Sequence, residues 1–318
     1  MKIVQLDGYA LNPGDISMND FSALGEFITF PRTAVNEVVE RLKDADAVLT
    51  NKVQLTSEVL QQLPKLKYIG VMATGYNVVD IDAAKKLGIV VTNIPAYSTD
   101  SVAQMVFAHI LNISNHVAHY AQQNRAGRWS RNPDFCYWDT PLFELNGKNM
   151  GVVGLGHIGS RVATIARDFN MNVYAFTSKS AEVLPSYIHK VDFSELLAVS
   201  DILTLHCPLT DSTKHLINDA ALAKMRKGAI LINTSRGGVI DEDAVARALQ
   251  YGTLLAFGAD VLTSEPPAAD NALLQQPNAY ITPHIAWAPV ETRKRLVDIA
   301  VNNLRQFIAG KPVNVVNA

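Results

Sequence analysis

The sequence predicts an α/β chain built from two parallel-sheet lobes, and three observations lead there. Short, near-continuous apolar runs alternate with helical patterns from one end to the other. The alternation stops once, at an irregular aromatic stretch, and then restarts. The chain has 318 residues, enough for about two domains of roughly 150 each. Strands that are apolar throughout must be buried on both faces, which is the condition of parallel strands covered by crossover helices.

In the first series, KIVQLD (2–7), FITF (27–30), AVLTN (47–51), YIGVMA (68–73) and IVVTN (89–93) read as strands. NEVVERLKDA (36–45), SEVLQQL (57–63) and DIDAAKKLG (80–88) read as the helices between them. One long helix is expected from about Ser101 to Ala126, because Val102, Met105, Val106, His109, Ile110, Ile113 and Val117 recur at helical spacing. RWSRNPDFCYWDTPL (128–142) has no periodicity; its aromatic residues Phe135, Tyr137 and Trp138 read either as core or as part of a dimer contact. The second series opens at Asn149, with MGVVGLG, NVYAFT, SDILTLHCP, GAILINTS, LLAFGADV and YITPH as strands. VETRKRLVDIAVNNLRQFIAG (290–310) is a final helix, followed by the tail KPVNVVNA. If that helix packs back on the first lobe, one domain comprises residues 1–98 plus 291–318 and the other residues 99–290.

Hydrophobic residues make up 48% of the chain and charged residues 18%, an ordinary globular balance. A formal net charge of −2 supplies no basic field for nucleic acid or acidic membranes. No apolar run approaches the roughly 18 residues of a membrane span, and the N-terminal apolar stretch is too short for a signal-peptide core. A cytoplasmic location is the expectation. Cys136 and Cys207 lie far apart and fit neither a disulfide framework nor a zinc spacing. His116 and His119 stand three apart on the expected long helix, but no carboxylate or thiol accompanies them, so no metal site is assigned.

GVVGLGHIG carries Gly154, Gly156 and Gly159 in the G-x-G-x-x-G arrangement, after an apolar strand and at the start of a helix. Gly154 permits the tight turn, Gly156 lets the backbone approach a pyrophosphate, and Gly159 allows close helix–strand contact. The helix N-terminus offers unpaired N–H donors and positive potential to the phosphates. The chain therefore binds a dinucleotide in a Rossmann-like lobe. The strand after this helix should end in an acid that takes the ribose hydroxyls of NAD; it runs instead into Thr177, Ser178, Lys179 and Ser180, with no acid until Glu182. Thr177 does not repel a 2′-phosphate, Ser178 can donate to one, and Lys179 carries positive charge. The expectation is an NAD(P)H enzyme with a preference for NADP(H), and NAD stays open.

In open parallel sheets ligands sit beyond the carboxyl ends of the strands. There the sequence places Arg236 after GAILINTS, Asp260 and Glu265 around GADVLTSEPP, and His284 after AYITP. This set suits hydride chemistry on a 2-keto acid. A guanidinium offers a planar double donor to carboxylate and carbonyl oxygens. Imidazole is suited to delivering a proton near neutral pH, and a neighbouring carboxylate orients the ring.

GVVGLGHIG, LHCPLT, LINTSRGGVIDEDAV, GADVLTSEPP and TPHIAW together resemble the D-isomer-specific 2-hydroxyacid dehydrogenases, over essentially the whole chain. Within that family, VMATGYNVVDIDAAKKLGIVVTNIPAYSTDSVAQMVFA and RWSRNPDFCYWDTPLFELNGK are similar to the glycerate dehydrogenase/hydroxypyruvate reductase branch, and Gln104 fits it. The resemblance implies two Rossmann-like/flavodoxin-like lobes with the active site in the cleft between them. It implies that Arg236 binds substrate carboxylate and keto oxygen, that Glu265 and His284 form the acid/base pair, and that Asp260 stands near the nicotinamide. Val102, His157, Ile158, Cys207, Pro208, Thr234, Ser235 and Ala286 would also contact the cofactor. Ala73, Thr74 and Gly75 would offer backbone N–H groups to the substrate carboxylate, with Asn51 and Lys52 at its hydroxymethyl end. A homodimer is implied, with Trp138 reaching the partner's active site. Thr177 departs from the family pattern, since NAD-specific members carry Asp there. Reduction of hydroxypyruvate to D-glycerate is the expected reaction. Glyoxylate or another small 2-keto acid, and a dinucleotide-sensing protein without turnover, are the alternatives.

Overall fold

The computed structural model describes residues 1–318. Its chain divides into two units, Met1–Ser98 with Trp287–Ala318, and Thr99–Ala286.

The first unit is built on five parallel strands: β1 (Lys2–Gln5), β2 (Glu26–Thr29), β3 (Ala47–Thr50), β4 (Tyr68–Val71) and β5 (Val90–Thr92), in the order β2-β1-β3-β4-β5. Side chains alternate between the two faces. Val4, Val48, Ile69 and Val91 pack with Val38, Leu42, Leu60 and Ala84 on one side. Ile3, Ala47, Leu49 and Tyr68 pack on the other with Leu296, Val297, Ala300 and Leu304 of the helix Val290–Ile308. The interior strands β3 and β4 are wholly buried, whereas edge strand β2 is half-exposed. The tail then extends the sheet: the Val316 N–H donates to the Val91 carbonyl (2.9 Å), and Asn317 Oδ1 accepts the Val91 N–H (2.9 Å).

Trp287 to Val290 belong to this unit, not to the second one as a sequence boundary at residue 290 puts them. Trp287 and Val290 pack into the cluster formed by Ile3, Leu11 and Phe21. Buried Arg293 adds a polar tie, donating to the Ala288 carbonyl (2.7 Å) and to both carboxylate oxygens of Asp15 (2.8 and 2.6 Å).

The second unit holds β6 (Asn149–Val153), β7 (Asn172–Phe176), β8 (Ile188–Lys190), β9 (Ile202–Leu205), β10 (Ala229–Asn233), β11 (Leu254–Ala259) and β12 (Ala279–Ile281). All pairings are parallel, in the order β12-β11-β10-β9-β6-β7-β8. The chain runs outward from β6 to β8 and then crosses to β9 on the other side of β6. The strand order therefore reverses between β6 and β9, where such sheets open a crevice for ligands. Helices Thr99–Asn115 and His157–Asp168 cover one face through Val106, Ile110, Val162 and Ala166. The helix Glu242–Gln250 covers the other through Val245 and Leu249.

Three sequence expectations are corrected. The long helix over 101–126 is two helices, Thr99–Asn115 and Val117–Arg125, broken at His116 with φ +48°. The core-facing stripe ends at Ile113; beyond it Val117 is exposed and no residue of the second helix is buried. That helix is held by polar ties to the following loop: Tyr137 donates to Asn124 (2.6 Å), and His119 pairs with Asp139, which also accepts from Arg128 within the loop. Strand β8 has no counterpart in the sequence reading, because only Ile188 of its three residues is buried. The core reading of the aromatic stretch also fails, since Phe135 is 89% and Trp138 66% exposed.

Candidate active site

The turn after β6 is shaped by its glycines. Gly154 has φ +89°, and a Cβ there would stand 2.9 Å from the His206 carbonyl oxygen. A Cβ on Gly159 would stand 1.9 Å from the Gly154 carbonyl oxygen, so the helix can begin this close to the strand only without a side chain. Gly156 caps the helix His157–Asp168 and faces open space, with nothing within 4 Å of an added Cβ. A twelve-residue helix thus presents its N-terminus to an open surface at the point where the strand order reverses. His157 is exposed and Ile158 half-buried at that first turn.

Across the crevice, β9 leads into His206, Cys207 and Pro208. Burial pushes the His206 imidazole down to about 3, so the ring is neutral. Burial pushes the Cys207 thiol up, which keeps it protonated and unsuited to nucleophilic attack. Beyond β10, the Thr234 Oγ1 is buried without a hydrogen-bond partner. Such an orphan invites a ligand. Open glycine backbone, helix N-terminus and orphaned hydroxyl together fit a bound dinucleotide. Val102 lies buried in the first turn of the helix Thr99–Asn115. At the end of β7, Thr177 Oγ1 accepts the Lys179 N–H (3.2 Å), and Ser178 and Lys179 lie in an open bend.

The reactive groups follow three neighbouring strands. Asn233 of β10 registers with Ala259 of β11, which registers with Ile281 of β12. What comes next on each is therefore brought side by side: Ser235 and Arg236, then Asp260 to Glu265, then Thr282 to His284. The Arg236 loop is pressed onto its neighbour, since a Cβ on Gly237 would stand 2.0 Å from the Leu262 carbonyl carbon. Arg236 is exposed, one of its N–H groups donating to the Ser235 carbonyl (2.7 Å).

His284 Nδ1–H donates to Glu265 Oε2 at 2.6 Å. Glu265 Oε1 accepts the Leu262 N–H (3.1 Å), which aims the carboxylate. With Nδ1 committed to Glu265, Nε2 is the ring atom left for proton transfer. The pair lines a pocket of about 390 Å³ with Asp260, Leu262, Pro266 and Ile281.

His284 has φ +53°, a left-handed conformation uncommon for a non-glycine residue. Asp260 holds it there. Its side chain is 1% exposed, and it accepts from the Thr282 hydroxyl (2.6 Å), the Ile285 N–H (2.9 Å) and the Ala286 N–H (2.8 Å). Asp260 and Thr282 thus hold both sides of the His284 turn. The role of Thr282 is invisible in sequence, since threonine before proline is an ordinary loop residue.

In the first unit, Asn51 and Lys52 follow β3, and Ala73, Thr74 and Gly75 follow its neighbour β4. Asn93 and Ile94 pin the latter loop: Ile94 N–H donates to the Ala73 carbonyl (3.0 Å), and Thr74 Oγ1 to the Ile94 carbonyl (2.8 Å). Asp7, at the end of β1, accepts the N–H groups of Asn51 (2.9 Å), Lys52 (2.6 Å) and Val53 (3.2 Å). The sequence reading missed Asp7, because an acid after a strand signals nothing until the fold brings residue 51 beside it.

No group of three His, Cys, Asp or Glu side chains gathers as a metal site, and no helix is long and apolar enough to cross a membrane.

Residues 107–286 match the family model described as D-isomer specific 2-hydroxyacid dehydrogenase, NAD binding domain. The chain is 49% identical over 321 residues to the hydroxypyruvate reductase of Blautia hydrogenotrophica, covering 100% of both chains. It is 40% identical over 320 residues to the glycerate dehydrogenase of Methylorubrum extorquens, covering 100% of this chain and 99% of the relative. Among solved structures, the D-lactate dehydrogenase of Aquifex aeolicus complexed with NAD and lactic acid superposes with a TM-score of 0.84 at 30% identity, covering 100% of this chain and 99% of that one.

Proposed function

The chain belongs to the D-isomer-specific 2-hydroxyacid dehydrogenases, and from that premise we propose that it interconverts hydroxypyruvate and D-glycerate by hydride transfer with a nicotinamide cofactor. The hydrogen-bonded His284–Glu265 pair, next to the Arg236 loop and on the same sheet as the dinucleotide turn, is the observation that carries this reading. The full-length similarity to a hydroxypyruvate reductase supports the choice of substrate.

When bound, the nicotinamide supplies the hydride that adds to C2 of the keto acid. Arg236 holds the keto oxygen and one carboxylate oxygen through paired N–H groups. His284 Nε2 gives its proton to the oxygen as charge develops there, and Glu265 keeps the ring oriented through Nδ1. D-glycerate is the product; in reverse, neutral His284 takes the proton back. The N–H groups of Ala73, Thr74 and Gly75 serve the substrate carboxylate, and Asn51 and Lys52 its hydroxymethyl end. Val102, Cys207, Pro208, Thr234, Ser235 and Ala286 line the cofactor.

The cofactor is NADPH in preference to NADH, on the strength of the open Thr177–Lys179 bend, which has no acid to accept the ribose hydroxyls. Initial rates of hydroxypyruvate reduction with both cofactors test reaction and preference together. The expected result is a higher kcat/KM with NADPH. A clear advantage for NADH would overturn the preference alone. Oxidation of neither cofactor by hydroxypyruvate, with turnover of glyoxylate instead, would overturn the substrate.

The enzyme works in the cytoplasm as a homodimer in which exposed Val117, Phe135 and Trp138 are covered by a second copy. Light scattering on a sizing column should give twice the 34.7 kDa chain mass. A monomer alone at micromolar concentration would refute the dimer.

A further inference from the structure

The bend after β7 is built by a residue from another strand. Lys190 ends β8 and registers with Ala175, two residues before Thr177. Its ammonium does not point away into solvent; Nζ donates to the Lys179 carbonyl at 2.6 Å. An ammonium has three donors, so two remain for another acceptor. The Lys179 N–H donates to Thr177 Oγ1, which closes the turn from inside. Lys179 itself forms no ion pair. The Lys190 ammonium is therefore tied to a short bend that itself carries exposed Ser178 and Lys179.

The acid nearest in sequence is already engaged. The Ser180 hydroxyl and its own backbone N–H hold the Glu182 carboxyl below its usual range, and Lys190 contributes charge to that. Glu182 is thus turned toward its own 3₁₀ turn, Ala181–Val183. The edge position of β8 leaves Lys190 exposed, so nothing apolar explains a lysine here.

We propose that Lys190, with Lys179 and Ser178, forms the binding site for the 2′-phosphate of NADPH, and that Lys190 is the residue that sets cofactor preference. The proposal rests on the NADPH reading above and adds the group that enforces it. A phosphomonoester carries close to two negative charges at neutral pH, so two ammonium groups and a hydroxyl match it in charge and donors. Lys190 is the better placed of the two cations because its bond to the Lys179 carbonyl restricts it before the ligand arrives, whereas the Lys179 side chain must be ordered on binding.

Calorimetric titration of the whole enzyme with 2′,5′-ADP, 5′-AMP, NADPH and NADH tests this without turnover. In Lys190→Met, affinity for 2′,5′-ADP and NADPH should fall about tenfold or more, the scale of one lost charge-assisted hydrogen bond. Affinity for 5′-AMP and NADH should stay within about twofold. Lys190→Arg should keep most of the NADPH affinity. An equal loss for all four ligands would mean that Lys190 only shapes the loop, and would overturn the proposal. Unchanged NADPH affinity in Lys190→Met, with wild type still favouring NADPH, would overturn it too while leaving the cofactor reading intact. A wild type that binds NADH more tightly than NADPH would remove both.

Discussion

Replacing His284 with alanine should lower kcat for hydroxypyruvate reduction by about 10²–10⁴, the usual contribution of a positioned acid. The dinucleotide affinity of this variant should remain close to wild type, because the glycine turn and the β7 bend lie on other strands. Two structural facts carry the expectation. Nδ1 is committed to Glu265 at 2.6 Å, which leaves Nε2 as the proton donor. Asp260 and Thr282 fix the left-handed turn that presents His284, so the proton donor is held in one place. Glu265→Gln should retain more activity than His284→Ala, since an amide oxygen still accepts from Nδ1–H, although it loses the negative charge and the bond from the Leu262 N–H. Turnover of His284→Ala near the wild-type level would remove the residue from the mechanism.

Arg236→Lys is expected to cost about 10²–10³ in kcat/KM, although it keeps the charge. A lysine cannot span two oxygens in one plane. Two charge-assisted hydrogen bonds at about 1.5–3 kcal/mol each are at stake, of which an ammonium recovers part. How the loss divides is informative. A fall in kcat together with kcat/KM means that the guanidinium contacts tighten on the oxygen as hydride arrives; a rise in KM alone means that they serve only to hold the substrate. Steady-state kinetics over a range of hydroxypyruvate decides it, and a change below about twofold in both constants would dismiss Arg236 as a substrate ligand.

The sequence was most readable where local pattern and global fold agree. Val152, Val153, Leu203, Leu231 and Phe257 sit in apolar runs too continuous for anything but buried parallel strands, and Gly154, Gly156 and Gly159 have a spacing that only a turn of this shape requires. What stayed hidden depends on distant partners. His116 breaks a helix without a proline or glycine to announce it, because the apolar stripe simply ends. Strand β8 is three residues long with two exposed, too little for a periodicity to show. Asp7 and Thr282 are ordinary loop residues until the sheet register sets them beside residues 51–53 and Asp260. Glu265 and His284 could be named from their places after strands, but the left-handed turn that presents His284 could not.

The first unit is not finished when its sheet is. On the ribosome, the five strands of residues 1–98 emerge early, yet the face made by Ile3, Ala47, Leu49 and Tyr68 is closed by the helix Val290–Ile308. Roughly 190 residues of the other unit are translated in between, a wait of roughly 10–40 s at 5–20 residues per second. The second unit, continuous in sequence, can complete itself during that interval. The nascent chain thus carries a whole domain and an open apolar face together, a window in which a holding chaperone would act and in which a ribosome stalled before codon 290 would yield a sticky product. A circular permutant that moves the last helix to the front of the chain would close that window.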